Sequence, residues 1–174
     1  MRTFIAIDIP EEIKKEIEKI QDLLPEFSGK KTEKENLHLT LKFLGEIPES
    51  EIENIGKKLK EIKFRKFEAE LSFLGVFDEN FIRIVWIKLS GFEKLQKEID
   101  EKLSDMFEKE KRFMSHLTLA RVKNIKDKKN FLSELGKIKY DKKKFVVSEF
   151  KLKKSELTRE KPVYSDIKKY RLES

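Results

Sequence analysis

Leu37-His38-Leu39-Thr40-Leu41 and Ser115-His116-Leu117-Thr118-Leu119 decide how this chain is read. The protein has only two histidines, and each opens the same four letters, His-Leu-Thr-Leu. At ordinary residue frequencies a second histidine meets the same tripeptide by chance less often than roughly once in a thousand. Positions 38 and 116 set an offset of 78. Sliding the chain by that offset lays residues 4–9 on 82–87 without a gap, and the helix-patterned residues 11–24 near 89–102. Phe67 falls on Phe145 and Leu74 on Leu152. The expectation is one unit of about 78 residues used twice. Two copies are too few for a solenoid. The simpler picture is a single domain, 1–174, made of two similar lobes, about 1–78 and 79–174, facing one cleft.

The composition sets bounds on what such a cleft does. Fourteen Phe in a chain that is 38% hydrophobic suffice for a core. The 40 Lys+Arg against 33 Asp+Glu leave a net +7 that suits a nucleic-acid or phosphate partner, although most of these charges belong on solvated helix faces. The absence of cysteine excludes a disulfide, a thiolate nucleophile and a cysteine zinc site. A strand pattern begins at once, so no signal peptide is expected. No apolar run reaches the length of a bilayer span. A cytoplasmic protein is expected.

Periodicity supplies the elements. Residues 2–9 read as a buried strand. Pro10, Glu11 and Glu12 then open a helix whose inner face is Ile13, Ile17, Ile20 and Leu24. Residues 25–35 read as a surface loop and 37–44 as the first motif strand. Pro48 opens a second helix with Ile52, Ile55, Leu59 and Ile62 inward, and 67–73 alternate as a strand. The second unit repeats the order. Residues 81–89 form a strand, Ser90 caps a helix burying Phe92, Leu95, Ile99 and Leu103, and 116–122 are the second motif strand. Asp127 caps a helix with Phe131, Leu135 and Ile138 inside, and extended segments follow at 145–152 and 163–172. Helices set against mainly antiparallel sheet make an α+β class.

Side chains alternate across a strand. Leu37, Leu39, Leu41 and Phe43 are therefore expected in the core, with His38, Thr40 and Lys42 together on the other face. In the second motif Leu117 and Leu119 go inward, and His116 and Thr118 outward. Two such strands about a pseudo-twofold would gather two imidazoles and two hydroxyls around one spot. That set suits a phosphate ester. In-line displacement needs a base beside the attacking oxygen and an acid beside the leaving one, and histidine serves as either near neutral pH. Threonine hydroxyls can donate to the non-bridging oxygens, where charge develops, and Lys42 would add positive charge. No metal or other cofactor is then required. Two histidines without His-Glu-x-x-His are a poor zinc signature. No G-x-G, Walker A or G-x-S-x-G occurs. Parity sends Arg121 inward with Leu117 and Leu119 unless a bulge re-aims it into the cleft. Trp86, Phe113 and Tyr164 are candidates for stacking on a base, with core packing as the commoner use of such rings.

The chain resembles the 2H phosphoesterases, and most closely the RNA 2′,3′-cyclic phosphodiesterases, also called 2′-5′ RNA ligases. The resemblance rests on Arg2-Thr3-Phe4-Ile5-Ala6-Ile7, on Glu35-Asn36 with the first motif through Gly45, on Ser115 through Arg121, and on Ser155-Glu156-Leu157 with Pro162-Val163-Tyr164. It implies a bilobal α+β fold in which two pseudo-twofold-related lobes of mainly antiparallel sheet, with outer helices, flank a central cleft. It implies hydrolysis of RNA 2′,3′-cyclic phosphate ends to 2′-phosphates, with His38 as proton donor, His116 as proton acceptor, and Thr40 and Thr118 holding the phosphate. Lys42 and Arg121 are further candidates for binding substrate. A 5′-hydroxyl in place of water would yield a 2′-5′ linkage. The implied partner is RNA with a cyclic phosphate end, such as a tRNA fragment, met by a monomer without membrane or metal. Two rival readings keep the fold: a phosphodiesterase for another cyclic phosphate or a 2′-5′ oligonucleotide, and an RNA- or nucleotide-binding module without turnover. The family's C-terminal stretch carries Gly before its Pro where this chain has Lys161, which puts the local turn in question.

Overall fold

The computed structural model describes all residues, Met1–Ser174, and it places the two motif strands in different sheets. β1 (Arg2–Asp8), β3 (His38–Glu46), β8 (Glu149–Leu157) and β9 (Pro162–Arg171) form one sheet in the order β3-β1-β8-β9. β2 (Ser28–Lys31), β4 (Phe67–Val76), β5 (Ile84–Ser90), β6 (His116–Asn124) and β7 (Lys144–Val147) form the other, ordered β2-β6-β5-β4-β7. Every pairing between these strands is antiparallel. The helices are α1 (Glu11–Asp22), α2 (Glu49–Lys60), α3 (Glu93–Lys102) and α4 (Lys128–Gly136). The class is the α+β one expected, with two strands more: Ser28–Lys31, read as loop, pairs with β6, and the segment 145–152, read as one strand, divides into β7 and β8, which enter different sheets.

The repeat is visible in the pairing. In each unit the first strand pairs with the motif strand, β1 with β3 and β5 with β6. The strands that follow the motif strand cross to the other unit: β4 joins β5, β7 joins β4, and β8 joins β1. Each sheet therefore draws on both halves of the sequence, and the repeat boundary near residue 78 is not the boundary between sheets. Register also corrects the ungapped alignment. Asp8 lies opposite His38 and Lys88 opposite His116, so β1 matches β5 at an offset of 80 rather than 78. The first unit needs the shorter offset later because its path from helix to motif strand includes β2. The two-residue slip is even, so inside and outside are preserved.

The helices pack crosswise as well, α1 on β6 and α3 on β3. Ile13, Ile17 and Ile20 of α1 and Leu95 and Ile99 of α3 are at most 1% exposed. Burying each such side chain contributes about 1.5–3 kcal/mol. One continuous apolar cluster takes residues from both sheets and all four helices. Asp127 caps α4 as expected, its carboxylate accepting from the Asn130 N–H at 3.1 Å. Ser90 does not cap α3. It ends β5 and its hydroxyl donates to the Glu70 carbonyl at 3.5 Å, while Gly91, at φ 111°, turns the chain into a helix that starts after Phe92. A Cβ at Gly91 would lie 2.8 Å from the Glu68 carbonyl oxygen, so the turn requires glycine. No helix is long and apolar enough to cross a membrane.

Candidate active site

Each motif strand carries a bulge at the same place. In β3 the register steps from Thr40 to Lys42 across β1, and in β6 from Thr118 to Ala120 across β5. Leu41 and Leu119 are the extra residues. The two strands consequently share one burial pattern: half-buried His, buried Leu, half-buried Thr, two buried residues, then an exposed one. Ahead of the bulge the alternation holds, and His38, Thr40, His116 and Thr118 all line one cleft of about 780 Å³. Beyond the bulge the faces exchange. Phe43, expected in the core, is 67% exposed and lines the cleft, and Arg121 emerges into the cleft at the matching position.

Lys42 borders the cleft as well, but not with its charge. Its ammonium is buried, donating to Asp100 at 2.6 Å and to the Glu108 carbonyl at 2.7 Å. Asp100 in turn accepts from Gln96 at 3.0 Å and from the Glu110 N–H at 2.9 Å. The ammonium expected to face substrate thus forms an ion pair that ties β3 to α3 and to the loop after it. Arg121 carries no ion pair, and neither do Arg2 and Arg112, two cleft cations that the motif reading did not single out.

The imidazoles are oriented alike. His116 Nδ1 lies 2.9 Å from the Met114 carbonyl, which only accepts, so Nδ1 bears the proton and Nε2 is left for chemistry. At the matching position the Asn36 backbone favours the charged form of His38. Each ring also meets an aromatic edge to face: His38 with Tyr164 at 4.8 Å and 81°, His116 with Phe77 at 5.2 Å and 89°. Of the three stacking candidates, Phe113 and Tyr164 line the cleft, while Trp86 is 6% exposed and lies beneath Phe73 and Phe77. The position five residues after each histidine enters the cleft in both strands: Arg121 does so through the bulge considered for it, and Phe43 does so where alternation had placed it in the core.

The surroundings of the two histidines differ. Burial, and then the Lys153 ammonium, push His38 down to about 4, against the pull of the Asn36 backbone and Asp8. Lys153 belongs to a square of charges. Asp8 meets Lys153 at 2.8 Å and Lys151 at 2.5 Å, and Asp166 meets both at 2.8 Å. Burial raises Asp8, but the two ammonium groups outweigh it and hold the carboxyl below the usual range. At the rim, Lys161 donates to Glu33 at 2.6 Å and Glu35 at 3.0 Å. The turn that lacks the family's glycine closes through Thr158, whose N–H and Oγ1 bond the Lys161 backbone at 3.2 and 3.1 Å. No three His, Asp or Glu side chains are grouped to hold a metal ion.

Comparison with known proteins places this geometry in context. Residues 7–86 and 89–164 match the family described as LigT like Phosphoesterase. The chain is 43% identical to the RNA 2′,3′-cyclic phosphodiesterase of Methanocaldococcus jannaschii, over 98% of this chain and 100% of that one. It is 37% identical to the protein of the same name from Archaeoglobus fulgidus, over 97% and 98%. Among solved structures, a Thermus thermophilus protein superposes with a TM-score of 0.81 at 29% identity, over 98% of this chain and 97% of that one. E. coli LigT complexed with 3′-AMP superposes with a TM-score of 0.78 at 24% identity, over 99% and 98%, a likeness of fold.

Proposed function

The chain belongs to the LigT-like phosphoesterases of the 2H superfamily, and from that premise we propose that it hydrolyses RNA 2′,3′-cyclic phosphate ends to 2′-phosphates. The observation that carries the reading is the convergence of two identical His-x-Thr strands on one cleft. His116 takes a proton from water through Nε2. The water oxygen attacks phosphorus in line with the P–O3′ bond. That bond breaks, and His38 delivers its proton to O3′, leaving the phosphate on O2′. Thr40 and Thr118 donate to the non-bridging oxygens, and Arg121 adds an unpaired positive charge where negative charge builds. Arg2 and Arg112 receive neighbouring RNA phosphates. No step draws on a metal, and one chain supplies both histidines, so a monomer suffices.

His38 in the free protein is neutral at pH 7, since it titrates at about 4. The anionic phosphate offsets Lys153 and favours the imidazolium, so the donor takes up its proton as substrate binds. A 5′-hydroxyl in the place of water would be activated by the same His116 and give a 2′-5′ linkage. With the roles exchanged, the same pair would cleave that linkage, His38 taking the proton of the 3′-hydroxyl and His116 protonating O5′.

The test is a short RNA with a 2′,3′-cyclic phosphate end, incubated with the protein in excess EDTA. A 2′-phosphate product, lost in His38→Ala and in His116→Ala, is expected. RNA binding without turnover would identify a binding module, and turnover only with added metal would end the two-histidine reading.

A further inference from the structure

The pseudo-twofold that relates the histidines breaks beside them, and the break has a direction. Asp8 lies opposite His38 on β1, and its counterpart opposite His116 on β5 is Lys88. On the His38 side the sheet continues into the Asp8–Lys151–Lys153–Asp166 square, which is internally neutralised and shows two half-exposed carboxylates. On the His116 side it continues into aromatic surface. Phe73 is 50% exposed and Phe77 57% exposed, and both rest against the Trp86 indole, at 5.8 and 5.6 Å. Trp86 lies flat only because residue 75 is glycine, where a Cβ would sit 2.5 Å from the indole. Phe77 reaches His116 itself, and the Lys88 ammonium stands 5.6 Å over the Phe73 ring. Lys88 makes no ion pair.

Half-exposed phenyl rings beside an unpaired ammonium have a natural occupant. Every base offers a π-face, and each phosphate an anion, so single-stranded RNA fits such a surface, whereas the neutralised square opposite offers neither an aromatic face nor an unpaired ammonium. In-line geometry says which nucleoside comes here. The attacking oxygen and the leaving oxygen are on opposite sides of phosphorus, so whatever replaces water enters on the side of His116.

We propose that Phe73, Phe77 and Lys88 form a second nucleoside subsite, which binds the 5′-hydroxyl end of an incoming RNA strand beside His116. The inference rests on the assignment of His116 to the attacking side. There the terminal base stacks on Phe77 and Phe73, and Lys88 receives the first phosphate downstream. O5′ gives its proton to His116 and forms a bond to phosphorus, P–O3′ breaks, and His38 protonates O3′. The products are a 2′-5′ phosphodiester and a free 3′-hydroxyl, with no further reactant. The subsite thus makes strand joining, and cleavage of the same linkage, a built property of this chain.

The experiment supplies one donor RNA ending in a 2′,3′-cyclic phosphate and increasing amounts of a short 5′-hydroxyl RNA. It reads the ratio of joined to hydrolysed product. Because both products come from the same bound donor, the ratio cancels general losses of activity. The wild-type ratio should rise with acceptor and saturate. Phe73→Ala and Lys88→Gln should each lower it roughly fivefold or more at sub-saturating acceptor, as loss of one stacking or phosphate contact implies, and Phe73→Tyr should restore it. Hydrolysis without any joined product, or a ratio unchanged in both variants, overturns the subsite while leaving the hydrolase reading intact. Absence of hydrolysis in the wild type overturns both.

Discussion

Lys153→Met should change the protonation of His38 without touching the ring. An ordinary histidine titrates near 6.5, and His38 is held at about 4, a bias worth about 3 kcal/mol toward the neutral form. Burial is the first cause and survives the substitution. The Lys153 ammonium is the second and is removed, while Asp8 remains to favour the cation. A rise of about one unit is expected, the low end of what a nearby charge does. Only two histidines titrate in the whole chain, so imidazole NMR reads each without overlap once His116→Asn assigns them. The same shift appears in kinetics. The acidic limb of kcat/KM reports the free enzyme and should lie near 4 in the wild type, then move up in Lys153→Met. Stability follows too. The folded state binds fewer protons at His38 than the unfolded chain between pH 6.5 and 4, so stability should fall by about 3 kcal/mol as pH drops through that window. His38→Asn should remove that slope. A wild-type His38 titrating at or above 6.5, or unmoved by Lys153→Met, would refute the reasoning.

Other outcomes follow from the same geometry. His38→Ala and His116→Ala should each cost roughly 10²–10⁴ in kcat, read in steady state on a cyclic-phosphate RNA. Thr118→Val should cost about 10² with little change in melting temperature. Lys42→Met strands the buried Asp100 carboxylate and should lower unfolding free energy in urea by about 3–5 kcal/mol, most of which Lys42→Met with Asp100→Leu restores. Gly75→Ala should displace the sole tryptophan, shifting its fluorescence and costing about 1–3 kcal/mol of stability.

Much of this was legible in the sequence because it depends on local rules. Alternation put His38 with Thr40 and His116 with Thr118 on one face, and a bulge was the one device able to bring Arg121 round. The same bulge in β3 reversed Phe43 and Lys42, and nothing local announces it there. Lys42 looked like a cleft cation because its partner, Asp100, lies on a helix 58 residues away. The crossing of β4 and β8 was hidden for a similar reason: repeat units are visible along a chain, whereas the choice of partner strand is made in space. Lys161, in the place of an expected glycine, finds the partners of its ammonium, Glu33 and Glu35, at the far end of the sequence. Asymmetry between the lobes was equally silent, since the motifs that define them are identical.

The most direct test of the two-histidine account uses a 2′,3′-cyclic substrate with sulfur in place of the 3′ bridging oxygen. A thiolate, the conjugate base of a thiol of pKa about 8.5, leaves without a proton, so a general acid becomes dispensable. The account predicts that this substrate restores turnover to His38→Ala and not to His116→Ala. Restoration of His116→Ala instead, or of neither variant, would contradict it.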